Sequence, residues 1–377
     1  MIEIKDKKDC CGCHACATVC PKHCITMCSD EEGFLYPSVG IDACVKCGLC
    51  EQVCPVIHQA HARLPLKVYA SMSKILKIRM RSSSGGLFTL LAETIIKQGG
   101  IVFGAKFDED WNVVHAWTDT MEGITAFQGS KYVQSVIGTT FREAKTFLQQ
   151  GRKVLFSGTP CQIAGLKRYL RKEYPQLLTV DIVCHGVPSP AVWQCYLNSL
   201  KDRMEKITRV SMRDKTEGWN HYRMEIHAGK RALYSGRAAC NDYSRGYLAN
   251  LFLRPSCHSC PARQGKSQSD ITLGDFWGIH RFYPMFDDHK GTGLVLINTQ
   301  AGMNHYRQID VYQIETTYQQ GLMENPCLEK SVPYTRLRKE FWLRFPTEGV
   351  GAIVRLYKKK NHLLYRLWNR LCNIIQT

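Results

Sequence analysis

Residues 10–21 read CCGCHACATVCP and residues 44–55 read CVKCGLCEQVCP. Both spell Cys-x2-Cys-x2-Cys-x3-Cys-Pro, the first with Cys10, Cys13, Cys16 and Cys20, the second with Cys44, Cys47, Cys50 and Cys54, offset by 34 residues. A 4Fe-4S cube has an iron at each of four corners, and each iron takes one thiolate. Tight turns wrap three corners, while the cysteine before proline leaves to ligate the other cube. Cys10, Cys13 and Cys16 with Cys54 are therefore expected to hold one cluster, and Cys44, Cys47 and Cys50 with Cys20 a second. Zinc also takes Cys-x2-Cys pairs, but its four-ligand sites rarely show three close cysteines plus Cys-Pro, twice over. Cys11, Cys24 and Cys28 fall outside the pattern.

Eight of the 19 cysteines lie beyond residue 60. Cys195, Cys240, Cys327 and Cys372 stand singly and read as small hydrophobes. Cys161 follows the strand-like KVLFSG, Cys184 ends LLTVDIVC, and Cys257 and Cys260 form CHSC. If the two strands are parallel, Cys161 and Cys184 emerge at one carboxyl edge, where α/β sheets bind ligands. Residue types alone leave three readings of this set: a third cluster, zinc, or no metal.

The elements that must position these groups follow from the rest of the chain. Residues 1–60 form the cysteine-rich repeat, expected as a small α+β module, and HQAHARLPL (58–66) reads as a linker. Beyond it RSSSGG precedes an amphipathic helix with Leu87, Leu90, Leu91 and Ile95 on one face and Gly99 as its stop. Strand IVFGAKF, helix 141–149, strand KVLFSG, helix 163–172, strand LLTVDIVC and helix 191–200 then alternate, and DITLGDF and GLVLINT read as further strands. That order predicts an α/β fold with a mostly parallel sheet core and crossover helices. The expected units are 1–60, 66–140, 141–320 and a basic helical tail over 321–377.

The paired cysteine repeat resembles a bacterial-type two-cluster ferredoxin. SSSGGLFTLL, GSKYVQS, FSGTPCQIAGLK, DIVCHGVPSP and SDITLGDFWGI, spread over residues 66–300, are similar to signature stretches of the beta-subunit family of coenzyme F-420 hydrogenases and dehydrogenases. Hydroxymethyl-chlorophyll reductases belong to the same family. The resemblance implies FAD and a 4Fe-4S cluster held by Cys161, Cys184, Cys257 and Cys260. It implies the flavin near Ser83, Ser84, Gly85, Gly86, near Ser130, Lys131 and Tyr132, and near Ser157, Gly158 and Thr159. The residues support part of this independently: successive N–H groups of SSSGG at a helix start suit a pyrophosphate, although a plain serine cap would read the same way. Lys131 is a candidate to neutralise the flavin or a phosphate. His185 is a candidate proton relay, or a structural hydrogen-bonding group.

Other classes find little support. No GxGxxG follows a strand, and GKS at 265–267 lacks the upstream glycine of a nucleotide-binding loop, so neither nicotinamide nor ATP is expected. The formal charge of +17 suggests nucleic acid only if every cysteine is neutral; loaded clusters and a flavin lower it to roughly +9. The start MIEIKDKKDC has no apolar signal region, and no run of about 18 apolar residues occurs, so a cytoplasmic protein is expected. The expected partners are a ferredoxin-like donor or partner oxidoreductase subunit and a small-molecule substrate. The expected activity is that of an iron–sulfur flavoprotein oxidoreductase, with a substrate-free electron-transfer subunit as the alternative. In the tail, Val350, Val354, Tyr357, Leu364, Leu367, Trp368 and Leu371 share a helical face. Packing on its own domain, peripheral membrane contact and partner docking are its three readings.

Overall fold

The computed structural model describes residues 1–201 and 205–360. Its strands are β1 Ile25–Ser29, β2 Leu35–Val39, β3 Lys67–Ser73, β4 Ile101–Phe107, β5 Val113–Thr118, β6 Val154–Gly158, β7 Leu177–Ile182, β8 Arg209–Asp214, β9 Arg223–Ala228, β10 Arg231–Arg237, β11 Ile271–Asp275, β12 Gly293–Ile297 and β13 Val311–Thr316. Eight of them form one sheet in the order β13-β3-β12-β11-β7-β6-β4-β5. Its centre, β4, β6, β7 and β11, is parallel throughout. The flanks are antiparallel, with β5 on one side and β12, β3 and β13 on the other. The mixed α/β fold with a parallel core is thus as expected, and the antiparallel flanks are what the sequence pattern did not reveal.

The central strands are short apolar runs buried on both faces, as crossover helices require. Phe103, Val154, Leu155 and Phe156 have no exposure. Helix Leu87–Lys97 buries Leu87, Leu90, Leu91 and Ile95, and Gly99 beyond its end takes φ +72°, a conformation glycine adopts without cost. Helix Pro160–Leu170 starts from a capping box in which Thr159 and Gln162 satisfy each other's backbone N–H groups, with proline in its first turn. Cys161 lies in that first turn.

The N-terminal repeat is visible in the backbone. Gly12 and Lys46 both take left-handed φ, as do His14 and Gly48, and each pair is one repeat apart. Helical turns Ala15–Val19 and Leu49–Gln52 follow at equivalent places, and β1 and β2 form an antiparallel hairpin between them.

This segment is built into the body. Cys11, Cys13, Ala15 and Val53 share one core with Phe141, Ile163 and Leu166. Gly165 is needed there, because a Cβ on it would lie 2.8 Å from Cys13 Cβ. Arg338 donates to both carboxylate oxygens of Glu32, a bidentate buried pair, and also to Leu253 O. The supposed linker is anchored too: Arg63 N–H donates to Gln264 O at 2.9 Å and Leu66 N–H to Ile297 O at 2.7 Å.

Strands β8, β9 and β10 make a separate antiparallel sheet. The described part of the tail is helix Gly351–Lys360, whose Ala352, Ile353 and Leu356 enter the core beside Tyr243 and Phe252. The buried stripe is therefore offset from the expected one. Val350 and Val354 are only half-buried, and Leu364, Leu367, Trp368 and Leu371 lie outside the described residues. No described helix is long and apolar enough to cross a membrane.

Candidate functional site

Around the first half of the repeat, Cys10, Cys13, Cys16 and Cys54 face one another. Burial, followed by the neighbouring thiols of Cys10 and Cys54, pushes Cys16 up to about 12. Cys54 is likewise raised, first by burial, with Cys10 among the remaining causes. At Cys13 a hydrogen bond from Cys11 lowers the thiol, but burial, Cys16 and Cys54 outweigh it and the net direction is up. The structure brings these four together.

The second set lines a small cavity. Cys20, Cys44, Cys47 and Cys50 surround it together with Cys24, Ile25 and Val39. Cys50 Sγ accepts the Ile2 N–H at 3.3 Å, and Cys20 and Cys24 sulfurs stand 3.4 Å apart. Cys47 is exposed, and Ile41 and Val45 beside it are 67% and 57% exposed, so this site faces solvent.

A third cavity is lined by Cys161, Cys184, Cys257 and Cys260. The first two arrive there because β6 and β7 are parallel neighbours, with Gly158 opposite Asp181. The other two come from the turn Pro255–Ser259 and the residue after it. Cys257 Sγ accepts the Val187 N–H at 3.4 Å. Burial drives Cys257 up to about 12, with Cys260 and Cys161 adding to the rise. Arg263 lines the same cavity and donates to the carbonyls of Cys184, Cys327 and His185.

These arrangements fit iron–sulfur clusters. The second and third sets surround cavities, as a cube with metal at its corners requires. Ionising several buried thiols together is unfavourable without a cation, and a metal core supplies one. The fit also extends to Cys11. Although outside the repeat's spacing, it lines the third cavity and packs in one core with Cys13 and Cys161.

The residues expected near a flavin divide into two groups. Ser130 and Lys131 line a cleft of about 310 Å³ that also includes Arg81, Phe107, Met212, Arg213 and Lys215. Ser83 borders it through a 2.7 Å bond between its hydroxyl and that of Ser130. Burial lowers Lys131 to about 7, and burial with Arg213 and Arg79 does the same for Lys215. Lys215 holds the serine loop by donating to Ser84 O and Arg79 O at 3.0 and 2.7 Å. Arg213 is fixed by a bidentate pair with Asp275 at 2.6 and 2.9 Å.

Gly85 has a reason that needs no ligand: a Cβ there would fall 2.3 Å from Ser71 O. Gly86, with φ +88°, begins the helix that follows. Tyr132 stacks on Tyr247 at 5.1 Å. Ser157, Gly158 and Thr159 lie on the other side, next to Cys161, with Thr159 Oγ1 3.3 Å from its sulfur.

His115, which sequence reasoning did not single out, connects the two groups. Its Nε2–H donates to Ser157 O at 3.0 Å, its charged form is opposed first by burial and then by Lys131, and its Nδ1 is buried without a partner. His185 is held by Asn250 Oδ1 at 2.7 Å and packs edge-on against Tyr247.

Parts of this chain are similar to known proteins. Residues 151–318 match the family model for the C terminus of the coenzyme F420 hydrogenase/dehydrogenase beta subunit. The F subunit of the F(420)H(2) dehydrogenase of Methanosarcina mazei is 22% identical over 272 residues, covering 69% of this chain and 73% of that protein. An uncharacterized protein of Methanocaldococcus jannaschii is 23% identical over 373 residues, covering 90% of this chain and 95% of its own. A chain of the F420-reducing NiFe hydrogenase complex from Methanosarcina barkeri aligns at TM-score 0.46 and 16% identity, over 80% of this chain and 94% of that one, a distant likeness. Residues 151–318, then, are similar to the C terminus of the beta subunit of coenzyme F420 hydrogenases and dehydrogenases.

Proposed function

We propose that this chain is an iron–sulfur electron-transfer subunit of an F420-type hydrogenase or dehydrogenase assembly. The observation that carries the reading is the set of three cysteine-walled sites, one facing solvent and one deep in the sheet edge. When bound, 4Fe-4S cores supply one-electron chemistry. Cys10, Cys13, Cys16 and Cys54 would hold the first, Cys20, Cys44, Cys47 and Cys50 the second, and Cys161, Cys184, Cys257 and Cys260 the third. The protein's own contribution is to keep the inner sites dry and to set the charge around them. The Methanosarcina mazei relative named above is, by its name, one subunit of such an assembly, which supports a partner oxidoreductase subunit here.

The test uses the isolated, anaerobically loaded chain with dithionite. It is expected to take up about three electrons, one per cluster, and to stop. Sustained reduction of an added deazaflavin by the chain alone would overturn the subunit reading.

That outcome would favour a second reading, a flavin-bearing oxidoreductase with its own small-molecule substrate. The cationic cleft is what favours it: Arg81, Lys131, Arg213 and Lys215 suit the phosphates of FAD. Lys131 would meet the flavin or a phosphate, with Ser83 and Ser130 beside it, and His185 would serve as proton relay only after release from Asn250. FAD in the supernatant of heat-treated protein supports the cleft assignment, and its absence from iron-replete protein removes it.

A further inference from the structure

We infer that Arg254 and Cys11 form the internal electron junction between the first and third sites, with Arg254 setting how readily the first site accepts an electron. The inference rests on the iron–sulfur reading above and deepens it. Arg254 is 1% exposed. Its guanidinium donates to Cys10 O at 2.7 Å, Gln134 Oε1 at 2.9 Å and Leu35 O at 2.9 Å, and reaches Cys10 Sγ at 3.5 Å. It lies over the rings of Tyr36 and Phe34, at 4.3 and 5.3 Å. Its partners among the described residues are carbonyl, amide and sulfur atoms, none of them a carboxylate.

A buried guanidinium without a carboxylate is costly unless another negative group balances it. A cube ligated by four thiolates carries net negative charge and meets that need. Arg254 lines the third cavity as well as touching Cys10 of the first. Cys11, 4% exposed, lines the third cavity and packs in one core with Cys13 and Cys161. None of Cys20, Cys44, Cys47 or Cys50 lines the third cavity. The spatial order of the sites is therefore second, first, third, and the solvent-facing second site is the one open to a one-electron protein partner. With cores bound at both sites, one electron lost by the first would be gained by the third. No bond forms or breaks, and no proton has to move.

The sign of the Arg254 effect follows from Coulomb's law. Reduction adds negative charge, so a nearby cation favours it and its removal disfavours it. The experiment is a potentiometric titration of the full chain, reconstituted anaerobically and followed by electron paramagnetic resonance. Arg254→Gln is expected to lower the reduced-to-oxidised ratio of the first cluster at least tenfold at fixed potential, about 59 mV, leaving the second unchanged. Arg254→Lys, which keeps the charge, is expected to shift it less. An unshifted first cluster in Arg254→Gln, or an equal shift in both, overturns the role of Arg254.

A second measurement holds even if that variant does not fold. In the fully reduced chain, magnetic interaction between the first and third clusters is expected to vanish in Cys257→Ala/Cys260→Ala and to persist in Cys47→Ala. The reverse pattern overturns the junction. Only two clusters in the unmodified chain would instead bring down the underlying three-site reading.

Discussion

Glu32 and Arg338 are about 300 positions apart in the chain, yet they meet as a buried pair that closes the cysteine-rich segment onto the body. Burial pushes the Glu32 carboxyl up while the guanidinium pulls against it. Removing one partner leaves the other charge buried, so Arg338→Ala is expected to lose about 3–5 kcal/mol, measured by denaturant unfolding. Cys11 and Cys13 separate ligand from neighbour at the same scale. Cys13→Ala is expected to lose about four irons and Cys11→Ala none; equal losses would show that the register is wrong. His115 supplies a pH dependence. Burial holds its folded pKa at about 4, below the ordinary 6.5. Between those values the unfolded chain binds the extra proton, so stability is full above about 6.5 and falls as pH drops toward 4, by up to ~1.4 kcal/mol per pH unit. His115→Gln is expected to flatten that slope in unfolding curves collected from pH 7 to 5; an unchanged slope would assign it to other groups.

The helix Pro160–Leu170 connects element to site, since it presents Cys161 at one end and packs Gly165 against Cys13 in its middle. Gly165→Val places carbon where Cys13 already sits, so the first cluster is expected to be lost although no ligand was changed. Iron analysis showing about eight rather than about twelve per chain would be the result; full iron with unchanged stability would contradict the packing. Such elements were largely legible. Period and turn residues located helix Leu87–Lys97 and the strands that lead to Cys161 and Cys184, because these are short apolar runs with clear stops. Strands β3, β5 and β13 escaped notice, being flanking strands whose apolar pattern is weaker. The tail's buried stripe was offset because Gly246 and Phe252, far away in sequence, decide which residues of Gly351–Lys360 turn inward. Arg254 and His115 could not be found from periodicity at all. An arginine three residues before Cys257 was the one available signal, and its meaning depends on contacts more than 200 positions away.

For the molecule as a whole, the matched family region lies within the eight-stranded sheet's part of the chain, and the N-terminal repeat is fastened to it rather than strung beside it. Electron transfer, as proposed, would benefit from this, because the cysteine sets stay in fixed relation. The central claim is that all three hold clusters, and iron analysis on anaerobically reconstituted protein tests it most directly. About twelve irons per chain, falling to about eight in Cys257→Ala/Cys260→Ala, is the result the account predicts. Eight irons in the unmodified chain, or zinc in place of the third four, would contradict it.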